Sequence, residues 1–161
     1  MNYIEELDRC ENFGDVFELV KRSVKESLGQ WRAGLMLYLA DLPIHIGAFH
    51  GVGSNAIVMN RKLLDLTVRS SRSRREINSY VFYILLHEYL HSLGYIDEDK
   101  VRRLVHAVSE RTFGEEHPTT QMAITGLGTI LSRMRQPAQE PSGSDMEIVR
   151  DFDRSNQTYF S

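Results

Sequence analysis

Two histidines four residues apart carry the clearest chemistry in this sequence. His87 and His91 lie in the run His87-Glu88-Tyr89-Leu90-His91, which follows an apolar stretch of the chain. On an α-helix, residues four apart share one face, so both imidazoles can bind the same metal ion. Glu88 is then placed to take a proton from a water molecule held by that metal. This pattern predicts a catalytic Zn²⁺ site.

A catalytic zinc takes three protein ligands and leaves one position open, so the two histidines need a third partner. Asp97 follows His91 by six residues, immediately after the turn that Gly94 permits. A chain that leaves the helix at this glycine can double back and bring a side chain to the ion. We therefore predict Asp97 as the third metal ligand, although its position also suits a helix N-cap.

Three residues remain as alternatives for the third ligand. These are His106, Glu110 and His117. If the next helix packs antiparallel to the first, a rise of ~1.5 Å per residue places His106 level with the metal and Glu110 about one turn beyond it. Both point away from the apolar stripe of their helix, whereas His117 lies in a loop.

The spacing His87-Glu88-x-x-His91-x-x-Gly94-x-x-Asp97 resembles the extended zinc motif of metzincin-type metallopeptidases, in the variant with aspartate as the third ligand. This resemblance implies a small zincin-like domain that binds Zn²⁺ through His87, His91 and Asp97 and hydrolyses peptide bonds with water activated by Glu88. In such proteases the strand nearest the metal pairs with the extended substrate backbone. Here that role would fall on residues 56–60 or on residues 44–49.

Other families share parts of this pattern. Metzincins also have a methionine turn below the metal, for which Met122 is a loose candidate, while Glu110 fits one spacing found in gluzincins. Spartan-like proteases of DNA–protein crosslinks resemble the same stretch. The run Leu90-His91-x-x-Gly94-Tyr95 is similar to the zinc endoribonucleases of bacterial rRNA maturation. Those nucleases have no glutamate at the position of Glu88, which therefore favours peptide hydrolysis.

Two functions other than peptide hydrolysis remain open from the sequence. In a zinc endoribonuclease, the basic and serine-rich segment at 69–75 would contact the RNA phosphates, although a solvated loop is the simpler interpretation. In a non-catalytic binding module, the metal would only stabilise the fold. His50 at the mouth of the site and Tyr95 as an oxyanion donor are further, weaker suggestions, since the simpler interpretation is that His50 is a turn residue and Tyr95 a packing residue.

The hydrophobic pattern around the motif predicts an α+β fold, in which a short and mostly antiparallel sheet packs against the motif helix and flanking helices. Strands are predicted at 35–40, 44–49 and 56–60, and the last two form a hairpin. Helices are predicted at 13–28, 76–93, 97–113 and 122–134. Glycines at positions 29, 94 and 114 end the first three of these helices.

Length and composition favour one compact domain. The chain has 161 residues, of which 42% are hydrophobic and 25% charged, and we assign residues 1–136 to the domain and residues 137–161 to a polar, flexible tail. The formal net charge of -3 gives no nucleic-acid or membrane footprint, and no apolar run approaches the roughly 20 residues of a membrane span. We expect a peptide or protein substrate and no membrane partner.

The compartment is predicted from the N-terminus and from cysteine usage. The first residues are acidic and lack the apolar core of a signal peptide. The single cysteine, Cys10, excludes an internal disulfide and so implies no oxidising compartment. Together these features favour a cytoplasmic protein.

Overall fold

The computed structural model describes residues 2–51, 53–126 and 146–154. The described part of the chain forms six helices and one four-stranded sheet. In chain order the elements are α1 (Tyr3–Arg9), α2 (Phe13–Leu28), β1 (Met36–Ala40), β2 (Ala48–His50), β3 (Ala56–Asn60), α3 (Arg61–Ser70), α4 (Arg74–Ser92), α5 (Glu98–Phe113), α6 (Pro118–Thr125) and β4 (Glu147–Val149).

The sheet has the strand order β2-β3-β1-β4. Strands β1 and β3 are parallel, whereas β2 pairs antiparallel with β3, and β4 pairs antiparallel with β1. The predicted hairpin is confirmed, with Phe49 opposite Val58, although β2 begins only at Ala48 rather than at residue 44. The α+β class is confirmed as well, and two of the three strand pairings are antiparallel.

Helix α4 lies at the centre of the molecule and contacts each of the other five helices as well as strand β2. Its start is fixed by Ser73, whose hydroxyl accepts the backbone N–H of Glu76, while the Glu76 carboxylate accepts the backbone N–H of Arg72. Such reciprocal bonds satisfy N–H groups that a helix start would leave free. Because α4 is buried on nearly every face, its side chains are held in fixed positions.

The end of α4 and the start of α5 are both encoded locally. Gly94 adopts a φ of +106°, a backbone conformation that residues with a side chain rarely adopt. It reverses the direction of the chain directly after the helix. Three residues later Asp97 caps α5 by accepting the backbone N–H of Asp99 at 3.1 Å. The predicted helices at 76–93 and 97–113 are therefore confirmed to within two residues at each end.

The segment 146–154 belongs to the fold, which corrects the prediction of a flexible tail for these residues. Strand β4 pairs with β1, and the buried ring of Phe152 stacks on Phe17 with centroids 4.2 Å apart. Asp153 accepts a hydrogen bond from the buried Lys21 ammonium at 2.6 Å and from two backbone N–H groups that precede β1. The sequence does not predict this pairing, because three residues are too few to show the alternating hydrophobic pattern of a strand. Their partner strand also lies about a hundred residues earlier in the chain.

The last predicted helix, at 122–134, overlaps the structure only in part. Helix α6 begins earlier, at Pro118, and Gly126 is its C-cap. Residues 127–134 of the prediction lie outside the described residues.

Replacing Asp153 by alanine should lower the free energy of unfolding by about 3 kcal/mol, because it leaves a buried ammonium without its strongest partner. Glu18, which lies 3.0 Å from the Lys21 nitrogen, limits the loss. Urea unfolding at pH 7 measures the effect, and Arg150→Ala, at an exposed position in the same segment, is the matched control. Equal stability of the two variants would show that the contact between Lys21 and Asp153 contributes nothing to the fold.

Candidate metal centre

The two motif histidines face one carboxylate across the turn between α4 and α5. Nε2 of His87 lies 3.1 Å from Oε2 of Glu98, and Nε2 of His91 lies 2.5 Å from Oε1 of the same residue. The three candidate ligand atoms, one from each residue, all lie within 4.8 Å of one another. The helix spacing predicted from sequence therefore brings both imidazoles to one point, where the first residue of α5 adds the carboxylate.

The other nitrogen of each histidine is already engaged. Nδ1 of His91 lies 2.8 Å from the backbone oxygen of Tyr95, and a carbonyl oxygen only accepts, so the proton is on Nδ1. Nδ1 of His87 lies 2.6 Å from Oε2 of Glu88, to which it donates in the same way. In each neutral ring, Nε2 then carries the lone pair. Metal-binding histidines in proteins are oriented by this kind of hydrogen bond.

Two lone pairs and a carboxylate at one point require positive charge between them. Without a metal, protons supply it. Burial opposes a charged His87, but its hydrogen bonds to Glu88 and Glu98 and their charges outweigh that effect and raise its pKa. Burial likewise opposes an ionised Glu98, yet the two histidines lower its pKa. The donor set of two imidazoles and one carboxylate fits Zn²⁺, which would provide the same charge without a proton.

A pocket of about 260 Å³ opens beside these groups. One wall is the edge strand β2, and the other is formed by α4 and the start of α5. Glu88, whose side chain is 5% exposed, lies in the pocket wall next to the three ligand candidates. No lysine or arginine is among the described residues that form the wall, which are Ala48, Phe49, His50, His87, Glu88, His91, Ile96 and Glu98.

Asp97, the third ligand predicted from the sequence, lies next to Glu98 in the chain but has a different role in the structure. Its carboxylate is the N-cap of α5, and the group of residues around the two histidines contains Glu98 instead. The two acidic residues are neighbours, so the spacing from His91 alone could not separate them. One signal was present: a capping aspartate uses its short side chain locally, whereas a glutamate just inside the helix can extend.

The three alternative ligands lie apart from the pair His87 and His91. His106 lies beside Glu110 and Glu115, with Nε2 3.5 Å from the Glu115 carboxylate. His117 is the buried N-cap of α6. Among the described residues, none of these alternatives belongs to the group formed by the two motif histidines.

Two further suggestions from the sequence have different outcomes. The hydroxyl of Tyr95 donates to Gln30 at 2.8 Å, so this residue contributes its backbone oxygen to the site rather than an oxyanion donor. His50, in contrast, belongs to the pocket wall. Its place there could not be read from the sequence, because it depends on how β2 packs against α4.

Comparisons with known protein families, with curated proteins and with solved structures found no match for this chain. None of the helices in the described residues is both long and apolar enough to cross a membrane.

Removing the Glu98 carboxylate should weaken zinc binding by more than about 100-fold, since even partners that only orient a ligand cost 10- to 100-fold. The matched comparison is Glu98→Gln beside Asp97→Asn, because asparagine keeps the N-cap of α5 while removing the neighbouring charge. Competition titration with a chromogenic zinc chelator measures both affinities. If Asp97→Asn weakened zinc binding and Glu98→Gln left the zinc affinity unchanged, Asp97 would be the third ligand.

The buried His117 should make the protein less stable in acid. Burial and the charge of Arg75 lower its pKa to about 4, against a smaller opposite effect of Asp8. Its Nδ1 accepts the backbone N–H of Thr119 at 3.2 Å, and its ring stacks on Phe113, so protonation breaks a cap. The folded state then binds a proton less well than the unfolded chain, whose histidine titrates near 6.5.

The stability due to neutral His117 is complete above pH 6.5 and is lost as the pH falls towards 4, by a total of about 3 kcal/mol. Urea unfolding at pH 7.5 and at pH 4.5 measures this loss. In His117→Asn, which keeps a capping side chain without a titrating group, the loss between the two pH values should be smaller by that amount. The same pH dependence in both proteins would exclude His117 as its source.

Proposed function

We propose that this protein is a zinc-dependent metallopeptidase in which His87, His91 and Glu98 hold the metal. The observation that carries the proposal is the convergence of two Nε2 atoms and a carboxylate within 4.8 Å, with each Nδ1 already bonded to an acceptor. Two histidines and a glutamate form one of the known ligand sets of catalytic zinc. The exposed side of Glu98 and the adjoining pocket leave room for a substrate.

Zn²⁺ bound at this point would polarise a water molecule and the carbonyl group of a peptide. Glu88 accepts the proton of the attacking water on its carboxylate and donates it to the nitrogen of the leaving amine. Its neighbour His87 holds one carboxylate oxygen at 2.6 Å, which fixes the orientation of the group. The burial of α4 keeps Glu88 and both histidines in register during these steps.

Strand β2 is the element that would bind the substrate backbone. Of the two segments expected for this role, β3 is paired on both sides, with β2 and with β1, and has no free edge. Strand β2 lies at the edge of the sheet, and all three of its residues belong to the pocket wall. An extended peptide can add to such an edge through main-chain hydrogen bonds. Within the described residues this edge has no partner strand, and its place beside the proposed metal ligands supports a peptide as substrate.

The charge of the pocket argues against RNA as the substrate. Its wall contains two carboxylates, and an RNA backbone needs lysine or arginine to neutralise its phosphates. The basic segment at 69–75 lies at the other end of α4, and thirteen residues from Arg74 to His87 correspond to roughly 20 Å. Arg75 in this segment is paired with Asp8 at 2.6 Å. A ribonuclease is the weaker proposal for these reasons.

Glu88→Gln should keep zinc binding but lower peptide hydrolysis by about 10²- to 10⁴-fold, the usual contribution of a general base. Cleavage of unfolded, fluorescein-labelled casein by zinc-loaded protein measures activity, and metal analysis measures zinc. Glu116→Gln, at an exposed carboxylate outside the pocket and outside both groups of possible metal ligands, is the matched control.

Full activity of Glu88→Gln would contradict the mechanism. A zinc-loaded wild-type protein that cleaves no casein but cleaves single-stranded RNA would favour the ribonuclease. A protein that binds zinc and cleaves neither would favour the non-catalytic module.

A further inference from the structure

We propose that His50 is a substrate-contacting residue of this pocket, and that Arg32 positions it through the backbone carbonyl of Ser54. The inference rests on the proposed function and deepens it, because it assigns a hydrogen-bond acceptor for the substrate. His50 is the last residue of β2, is half-buried, and belongs to the pocket wall together with the candidate metal ligands.

The orientation of the His50 ring follows from one hydrogen bond. Its Nε2 lies 2.7 Å from the backbone oxygen of Ser54. Because a carbonyl oxygen only accepts, the proton is on Nε2 and the lone pair is on Nδ1. Among the described residues Nδ1 has no hydrogen-bond partner. Nδ1 is therefore the ring nitrogen that remains for a molecule in the pocket, and it acts there as an acceptor.

The other polar side chains of the pocket already have roles in the proposed reaction. Three of them hold the metal and Glu88 moves the proton, so His50 is the remaining polar side chain in the described wall. An acceptor at this place suits a donor group of the substrate, such as the N–H of a peptide bond. A phosphate or a carboxylate offers no such donor at neutral pH and would be repelled by the nearby Glu88 and Glu98.

Arg32 connects the two walls of the pocket. Its Nη1 donates to the backbone oxygen of Ser92 at 2.6 Å, at the last residue of α4 and one residue after His91. Its Nη2 donates to the same Ser54 oxygen that accepts from His50, at 3.3 Å. A positive charge at the carboxyl end of a helix is also favourable. Arg32 therefore fixes the turn that orients His50 relative to the helix that carries the metal ligands.

The test compares two replacements of His50, each of which keeps a hydrogen-bonding atom at the position of only one of the two ring nitrogens. In His50→Gln, the amide can keep the bond to Ser54 but offers no acceptor at the Nδ1 position. In His50→Asn, the amide oxygen lies near the Nδ1 position, while the bond to Ser54 is lost. We expect kcat/KM on labelled casein to fall about 10-fold in His50→Gln and to stay within about threefold of wild type in His50→Asn. Zinc affinity should be unchanged in both variants.

A second measurement does not depend on turnover. Fluorescence anisotropy with labelled, unfolded casein reports binding to zinc-loaded Glu88→Gln protein, with and without each His50 replacement. Binding should weaken with His50→Gln and be retained with His50→Asn. Wild-type-like values for His50→Gln in both assays would overturn the proposal, because the bond to Ser54 would then be the whole role of the residue. Binding that depends on His50 without any cleavage would keep the inference and reject the peptidase.

The positioning role of Arg32 is tested by a double-mutant cycle. Arg32→Met should lower kcat/KM by about threefold in the wild-type background, the most that loss of the Ser54 bond costs in His50→Asn, and have little further effect in a His50→Ala background, since both act through the same ring. Equal losses in the two backgrounds would overturn the role assigned to Arg32. If Arg32→Met does not fold, Arg32→Lys, which keeps the charge but lacks the two-pronged donor, replaces it in the same cycle.

Discussion

Three electron-pair donors held within a few ångströms of one another repel unless positive charge lies between them, and the junction of α4 and α5 is built around that constraint. His87, His91 and Glu98 face each other at one point, where burial also opposes the charged forms of His87 and Glu98. The surrounding structure supports this unfavourable arrangement. Helix α4 is buried on nearly every side, and the reversal at Gly94 brings α5 back to it.

The parts of this arrangement that could be read from the sequence are the local ones. The four-residue spacing of His87 and His91, the helix stop at Gly94 and the cap at Asp97 depend on neighbouring residues, and each is present in the structure. The choice between Asp97 and Glu98 depends on the phase of α5 relative to α4. Adjacent helical residues point about 100° apart, so the rotation of α5 about its own axis decides which carboxylate faces the histidines. The spacing of residues in the sequence does not specify that rotation.

Features that join distant segments were beyond the sequence for a related reason. Strand β4 has three residues and pairs with a strand that is distant in the sequence, so no hydrophobic periodicity predicts it. The proposed role of His50 depends on the position of the turn at Ser54 against the end of α4, where Arg32 joins the two through backbone carbonyls, and the sequence does not specify that contact. The sheet separates these functions in space: β4 anchors the late segment at one edge, and β2 faces the pocket at the opposite edge.

The candidate ligands all come from one stretch of twelve residues, from His87 to Glu98. A metal bound there would cross-link a single helix–turn–helix unit and leave the remaining contacts between the sheet and the helices as they are. Loop-closure entropy is small over so short a segment, so the core has little need of the ion to stay folded. If the proposed ion and reaction were lost in a descendant of this chain, the architecture would therefore remain, and the pocket could evolve as a peptide-binding surface.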